Sequence, residues 1–269
     1  MEEIRINPIG VVKTPVDDIS SMPAVGENAV IELKEEYVPA LQRIEENSHI
    51  WIICWFNRSE RDVLQTMPHI MEPEPVKFGV FALRCNKRPN PVAITLVSLD
   101  RVEGNRLYVT GLDAVEGTPV LDIKPYYEQD SIFSPLTPYI KPKDEPVRRS
   151  LMHKLALRHH GEDSAALETG LRICLTAETH LGHLLNPAVT VSVTGSRELA
   201  DVIQGITRAR LANPPRFTFC EADTDKVIFT RNEKVLKFSV KKRFSLEELQ
   251  GLPDEEVFTV TEEPGASRL

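Results

Sequence analysis

Gly111-Leu112-Asp113-Ala114-Val115-Glu116-Gly117-Thr118-Pro119-Val120-Leu121-Asp122-Ile123-Lys124-Pro125-Tyr126 is the stretch on which the fold reading turns. Upstream of it stands a second dense run, Phe81-Ala82-Leu83-Arg84-Cys85-Asn86-Lys87-Arg88-Pro89-Asn90-Pro91. Each is β-like and broken by charge, proline and asparagine or glycine. Packing alone does not ask for that mixture, whereas a site that grips a charged small molecule does. In an extended Val120–Lys124 run, Asp122 and Lys124 share one face and Leu121 and Ile123 the other. Gly117-Thr118-Pro119 is a tight turn that brings backbone amides and carbonyls to a ligand. Carboxylates and carbonyls suit a cation; Lys124, Arg84 and Arg88 suit a carboxylate or phosphate. A zwitterionic ligand carrying a sulfonium uses both signs. The alternatives are a surface strand with cross-strand ion pairs and a solvated charged loop.

Around these runs the first half reads as short strands. Ile4-Arg5-Ile6, Ile9–Val12, Ala29–Leu33, Val76–Leu83, Val92–Leu99, Leu107–Thr110 and Val120–Ile123 are β-like, and Glu103-Gly104-Asn105 marks a turn. Ser48–Phe56 is nearly all apolar and reads as a central strand buried on both faces. Glu35–Glu46 places Val38, Leu41 and Ile44 at three-residue steps and predicts one early helix, with Pro39 in its first turn. Thr14–Gly26 is a long turn-rich loop, and Asn57–Pro75 a polar excursion. Frequent turns without a βαβ rhythm predict an antiparallel barrel or sandwich.

Pro135, Pro138, Pro142 and Pro146 mark a linker over 135–150, because repeated proline removes backbone donors and favours an extended chain. The character then changes. Arg149–His159, Ala165–His180 and Arg197–Arg210 have helical spacing. Ala188–Val193, Phe217–Phe219, Val227–Phe229 and Val235–Val240 read as strands, so this half is α+β. The expected organisation is a β-barrel over 1–134, the linker, an α+β domain over 151–245 and a frayed tail over 246–269, with Leu246–Leu249 as a possible helix.

Composition narrows the function class. The formal net charge of the 269 residues is −8. Residues 1–145 carry 15 Lys and Arg against 23 Asp and Glu, so all the net acidity lies there. That weighs against tight non-specific nucleic-acid binding, although Arg84, Lys87, Arg88 and Lys124 can form a local positive mouth. No apolar run approaches the length of a membrane span. The acidic N-terminus, Met1-Glu2-Glu3, lacks a signal-peptide core, so a cytoplasmic location is expected. Cys54, Cys85, Cys174 and Cys220 have no zinc-like spacing. Cys54, Cys174 and Cys220 lie in apolar runs and are expected to be buried thiols, while Cys85 sits among cations.

The two quoted runs closely resemble the hallmark segments of the TrmO-like (TsaA-like) tRNA methyltransferases. Ile9-Gly10 with Pro15, and Ser48-His49 with Trp51, match weaker ones, and the likeness covers roughly residues 5–135. It implies a small β-barrel that binds S-adenosylmethionine as co-substrate, as a homodimer with the site near the subunit interface. The implied reaction methylates N6 of threonylcarbamoyladenosine in the tRNA anticodon loop. By matching position, Phe81, Ala82, Arg84, Arg88, Asn90, Asp113, Thr118, Leu121, Asp122, Ile123, Lys124 and Tyr126 are the implied cofactor-binding residues. Leu121, Ile123 and Phe81 are candidates to cover the adenine, and Arg84 or Arg88 to bind the methionine carboxylate. His49, Asp122 and Lys124 are the candidate catalytic residues, His49 or Asp122 receiving the departing proton. For His49 a satisfied core histidine is the alternative. Leu83, Cys85 and Asn86 depart from the Thr, Ser and Pro usual in bacterial members, which bears on the acceptor more than on the cofactor.

The second half is similar, more faintly, to the FmdE-like domain, a component of formylmethanofuran dehydrogenases. His160-Gly161-Glu162-Asp163-Ser164-Ala165-Ala166 with Gly170 and Arg172 follows that family's HGHxCPGxxxGxR motif. Glu162 stands for a His, Ser164 for a Cys and Ala209 for a later Cys, so the soft ligands a transition metal needs are largely replaced. No metal is expected; His159, His160 and Glu162 form either a weak site or a solvated helix start. Two other functions stay open: a regulatory or interaction module that binds S-adenosylmethionine without catalysis, and a methyltransferase for a small molecule.

Overall fold

The computed structural model describes residues 4–68 and 76–264. Met1-Glu2-Glu3, residues 69–75 of the polar excursion and residues 265–269 of the tail lie outside them. The chain divides into two compact units, Met1–Ser131 and Ile132–Leu269.

The first unit is built on β1 (Gly10–Lys13), β2 (Glu27–Leu33), β3 (His49–Trp55), the two-residue pair β4 (Gln65–Thr66) and β5 (Phe78–Gly79), β6 (Val92–Glu103), β7 (Arg106–Leu112) and β8 (Pro119–Pro125). Six of them close into a barrel in the order β1-β2-β7-β6-β3-β8, every pairing antiparallel. Closure removes the unpaired edges that an open sheet leaves. Val12, Ile31, Ile50, Ile52, Val97, Leu107, Val109 and Val120 are essentially sealed inside it. Gly26 (φ +79°) lets the β1–β2 loop return against β7, since a Cβ there would lie 2.5 Å from the Gly111 carbonyl carbon.

Three expectations change here. Ile4 and Ile6 are exposed and belong to no strand. The helix expected over Glu35–Glu46 is two 3₁₀ turns, Glu35–Leu41 and Ile44–Glu46. Pro39 removes a backbone donor inside the first, and Arg43 at φ 67° turns the chain left-handed between them. The third is β3, whose burial alternates: Ile50, Ile52 and Cys54 are buried, whereas His49, Trp51, Ile53 and Trp55 are only half-buried. An unbroken apolar run hides that alternation, because aromatic and aliphatic side chains score alike.

The second unit carries α1 (Glu145–His160), α2 (Ala165–Leu181), β9 (Val189–Gly195), α3 (Arg197–Thr207), β10 (Phe217–Glu221), β11 (Lys226–Arg231), β12 (Lys234–Val240), α4 (Leu246–Leu249), α5 (Asp254–Val257) and β13 (Phe258–Pro264). The sheet order is β10-β9-β11-β12-β13; β9 and β10 are parallel, with α3 as their crossover, and the other pairs antiparallel. One apolar cluster joins Leu167, Leu171 and Cys174 of α2, Val202, Ile203 and Ile206 of α3, and Val191, Phe229 and Phe238 of the sheet. The helices approach closely where side chains are small: a Cβ on Gly170 would lie 2.6 Å from Val202 Cγ1, and one on Gly205 2.6 Å from His159 Cβ.

The expected linker is shorter on its C-terminal side, because α1 already starts at Glu145 and Pro146 sits in its first turn, where its missing N–H costs no helical bond. The expected tail differs more. Residues 258–264 pair with 234–240 as a full edge strand, with Phe258 and Val257 in the core. Cys54 and Cys174 are buried, and burial pushes the Cys54 thiol up to about 12. Cys220, expected to be buried, is exposed on β10, which among the described residues is an edge strand paired with β9.

Candidate functional site

β8 carries Asp122 and Lys124, and its register against β3 decides where they point. Ile52 faces Ile123, Ile53 faces Asp122, and Cys54 faces Val120. Leu121 is therefore the extra residue of a β-bulge. Strict alternation from the buried Val120 would send Asp122 into the barrel. The bulge instead places Asp122 opposite Ile53 and Lys124 opposite Trp51, on the outer face. Their side chains meet there: Lys124 Nζ lies 2.7 Å from Asp122 Oδ2, and the Ile123 amide donates to Asp122 Oδ1 at 2.9 Å. Ile123 packs toward the barrel core opposite Ile52, away from the Asp122–Lys124 face.

Next to this pair lies an aromatic corner. The Tyr126 amide donates to the His49 carbonyl, and the Tyr126 ring meets the edges of Trp51 at 5.9 Å and His49 at 6.5 Å. His49 Nδ1 lies 3.0 Å from Ser48 Oγ and Nε2 3.4 Å from Ser98 Oγ. Two hydroxyls, each able to donate or accept, thus flank its ring. Across β3 from β8, β6 opposes Ser98 to His49, Leu96 to Trp51, Ile94 to Ile53 and Val92 to Trp55. Ile94 is 45% and Val92 38% exposed, which makes the outer face of β8-β3-β6 a mostly apolar surface bordered by one ion pair. Apolar surface of this kind marks a place where something docks.

The Phe81–Pro91 run lies at the Trp55 end of the same face. Arg61 connects them, stacking its guanidinium 5.3 Å from the Trp55 ring and donating to the Pro89 carbonyl at 3.1 Å. Phe81 is 83% exposed on the 3₁₀ turn Val80–Ala82, beside the exposed Ala82 and Arg84. Arg88 is otherwise engaged. Its Nη2 donates to the carbonyls of Val80 (2.6 Å) and Leu83 (3.2 Å), and its ring-facing side lies 6.0 Å from Phe81. It orders the turn that presents Phe81 and Arg84. Lys87 is bound to Glu60 at 2.7 Å. Asn90 is exposed, and its carbonyl receives the Val92 amide. Cys85 Sγ, half-buried, donates to the Lys87 carbonyl.

The Asp113–Thr118 loop stands apart, against β1. Thr118 is buried, and its hydroxyl donates to the Val115 carbonyl at 2.7 Å, so it locks a turn and offers a ligand nothing. Asp113 is exposed. Glu116 accepts from the Thr14 amide (2.8 Å) and Lys13 Nζ (3.2 Å). The Thr14 amide chiefly holds its carboxyl below the usual carboxylate range. Of the residues expected at the site, Asp122, Lys124, Tyr126 and His49 gather on the aromatic corner, and Phe81, Ala82, Arg84, Arg88 and Asn90 on the loop beside Trp55. Leu121 is in the bulge; Ile123 and Thr118 face inward. Trp55, Arg61, Ser98 and the β6 residues Ile94 and Leu96 were missed. Their signal was the odd-position register of His49, Trp51 and Trp55, which separates the aromatics from the aliphatics of β3.

The sequence matches the family described as the tRNA-methyltransferase O N-terminal domain over residues 5–131, and the chain belongs to that family. It is 45% identical over 130 residues to a probable S-adenosyl-L-methionine-binding protein of Methanothermobacter thermautotrophicus, covering 47% of this chain and 92% of that one. A probable S-adenosyl-L-methionine-binding protein of Archaeoglobus fulgidus is 31% identical over 184 residues, 66% of this chain and 50% of its own length. That span exceeds the first unit, so the likeness runs into the second. A mouse tRNA (adenine(37)-N6)-methyltransferase is 42% identical over 89 residues, 32% of this chain and 20% of that one.

Proposed function

We propose that the chain is a methyltransferase that moves the methyl group of S-adenosylmethionine to N6 of an adenosine in tRNA, with threonylcarbamoyladenosine of the anticodon loop as the acceptor. The observation that carries this reading is the outer β8-β3-β6 face, where an aromatic corner and the Asp122–Lys124 pair lie side by side. That donor set fits the co-substrate. Aromatic and aliphatic surface suits the adenine, and Arg84, exposed and without an ion pair among the described residues, suits a carboxylate. Asp122 offers negative charge to a sulfonium. Transfer to nitrogen by in-line displacement asks the protein for alignment and for somewhere to put one proton. His49, flanked by Ser48 and Ser98, and Asp122 are the groups placed to receive it.

The exposed Val92, Ile94 and Phe81 fit a second copy of the chain packed against this face, so the active form is a homodimer. The second unit is an FmdE-like domain whose metal ligands have been replaced. The whole protein works in the cytoplasm, where its tRNA is. A second reading, binding of S-adenosylmethionine without turnover, draws on the names of the archaeal relatives and on the acidity of residues 1–145.

The experiment is mass spectrometry of tRNA nucleosides from a deletion strain, with purified protein and S-adenosylmethionine added back. Methylated threonylcarbamoyladenosine is expected to vanish on deletion and return on add-back. Unchanged modification removes the tRNA assignment. Calorimetric binding without turnover on any tRNA selects the second reading.

A further inference from the structure

The second unit holds an arrangement that methyl transfer does not use. At the end of α1 the chain passes through Gly161, in the left-handed region, and enters α2 at Ser164. Ser164 Oγ lies 3.1 Å from His160 Nε2, and His160 Nδ1 lies 2.9 Å from Asp201 Oδ2 on α3. His159 Nε2 is 3.2 Å from the other carboxylate oxygen, Asp201 Oδ1. The Leu167 amide donates to Ser164 Oγ at 3.1 Å. Gly205 makes the approach possible: any larger residue there would collide with His159 and hold α3, with Asp201, away from α1.

The donor and acceptor roles in this chain are forced. An ionised carboxylate only accepts, so His160 donates from Nδ1 and His159 from Nε2. The neutral His160 ring then carries its lone pair on Nε2, where the Ser164 hydroxyl lies 3.1 Å away and can donate to it. A hydroxyl aimed at an imidazole whose tautomer is fixed by a carboxylate is the nucleophile–base–orienter arrangement of acyl transfer. The His160 side chain is 7% exposed, which keeps the base in place, while Ser164 is half-exposed and can be approached. Ser164 also stands at the start of a 17-residue helix. The first-turn amides of Ala165 and Ala166 have no carbonyl of the helix to bind and belong to the helix start that Ser164 caps, a source of donors for an oxyanion.

We propose that Ser164, His160 and Asp201 form a second reactive centre that cleaves small carboxylic esters presented at the surface. Ser164 Oγ bonds to the ester carbonyl carbon while its proton passes to His160 Nε2. The C–O bond to the alcohol breaks, and the alcohol leaves with that proton. Water then bonds to the acyl carbon, giving its proton to His160, and the acid departs as Ser164 Oγ regains it. No oxidant, metal or further reactant enters. The proposal stands independently of the barrel and its co-substrate.

The test treats the full chain with a fluorophosphonate probe and maps the adduct by peptide mass spectrometry, with p-nitrophenyl acetate as the turnover substrate. One adduct, on Ser164, is expected, together with a burst near one equivalent of p-nitrophenol. Ser164→Asn keeps an oxygen for the Leu167 amide and removes the nucleophile; it is expected to lose the adduct with an unchanged melting temperature. Asp201→Asn is expected to slow labelling at least ~100-fold, since it releases the tautomer that makes Nε2 an acceptor. An unlabelled Ser164 in the folded wild-type chain at saturating probe overturns the proposal. So does labelling that proceeds at the same rate in His160→Gln. Because the adduct is located on the wild type, the proposal can be overturned even where a variant fails to fold.

Discussion

Arg84 and Arg88 look interchangeable as partners for the methionine carboxylate of the co-substrate, and the structure separates them. Arg88 spends Nη2 on the Val80 and Leu83 carbonyls, whereas Arg84 is exposed on the same loop. A hydrogen bond to a charged group contributes about 1.5–3 kcal/mol, or roughly 10- to 150-fold in affinity. Arg84 faces solvent before binding, and an exposed pair contributes at most about 1 kcal/mol, which lies below that range and corresponds to about 5-fold. Arg84→Gln is therefore expected to weaken S-adenosylmethionine binding about 5-fold in calorimetry and to leave binding of the decarboxylated analogue unchanged. Arg88→Gln loosens the turn that carries Phe81 and Arg84, so it is expected to weaken both ligands by a similar factor. The diagnostic quantity is the ratio of the two affinities, which cancels effects common to both ligands. If Arg88→Gln abolishes discrimination for the carboxylate and Arg84→Gln preserves it, the assignment of the two arginines is wrong.

Other outcomes follow from the same structure. Lys124→Ala or Asp122→Ala is expected to abolish measurable S-adenosylmethionine binding, with the melting temperature of the barrel little changed, because both side chains are largely solvated. Gly205→Ala places a methyl group against His159 and is expected to cost about 1–3 kcal/mol, read as a lower denaturant midpoint for the second unit. Burial works against ionisation of Glu168, yet Arg149 and Arg172 overcome it and hold its carboxyl below the usual range. A depressed carboxyl contributes stability that is present above its unfolded value, near 4.5, and lost as pH falls below it. Melting curves between pH 6 and pH 3 should show that loss in the wild type and a flatter profile in Glu168→Gln; identical profiles contradict the account. Brief alkylation at mildly alkaline pH, followed by peptide mapping, should modify Cys220 first and leave Cys54 and Cys174 untouched.

Much of the barrel was legible because β6 and β7 are apolar-rich runs that meet at the turn Glu103-Gly104-Asn105. β13 was not, since Phe258-Thr259-Val260-Thr261 alternates for only four residues before an acidic end, and an edge strand needs just one buried side. The early helix failed for a conformational reason: the left-handed Arg43 has no sequence marker of the kind glycine provides. At the candidate site, Asp122 and Lys124 were read onto one face correctly, but the sequence held no sign of the bulge that makes that face the outer one. The engagement of Arg88 with two carbonyls and the closure of Thr118 onto Val115 were equally hidden. Both depend on partners eight residues away or fewer, yet on a loop path that composition does not encode. His160 and Ser164 stood out in the sequence, but Asp201 did not, because the 41-residue separation of His160 from Asp201 is bridged by the packing of α3 on α1.

The extra residue at Leu121 also sets how this barrel can change. It shifts the inside–outside phase of β8 partway along, so Val120 belongs to one rhythm and Asp122 and Lys124 to another. Straightening the strand with that residue kept would turn both charged side chains into the hydrocarbon interior, whereas deleting Leu121 would merge the two rhythms and leave Asp122 and Lys124 outside. Substitutions on either side of the bulge, by contrast, are felt by only one of the two layers. The strand behaves as two short rulers joined at an offset, and the offset decides which layer each set of side chains enters.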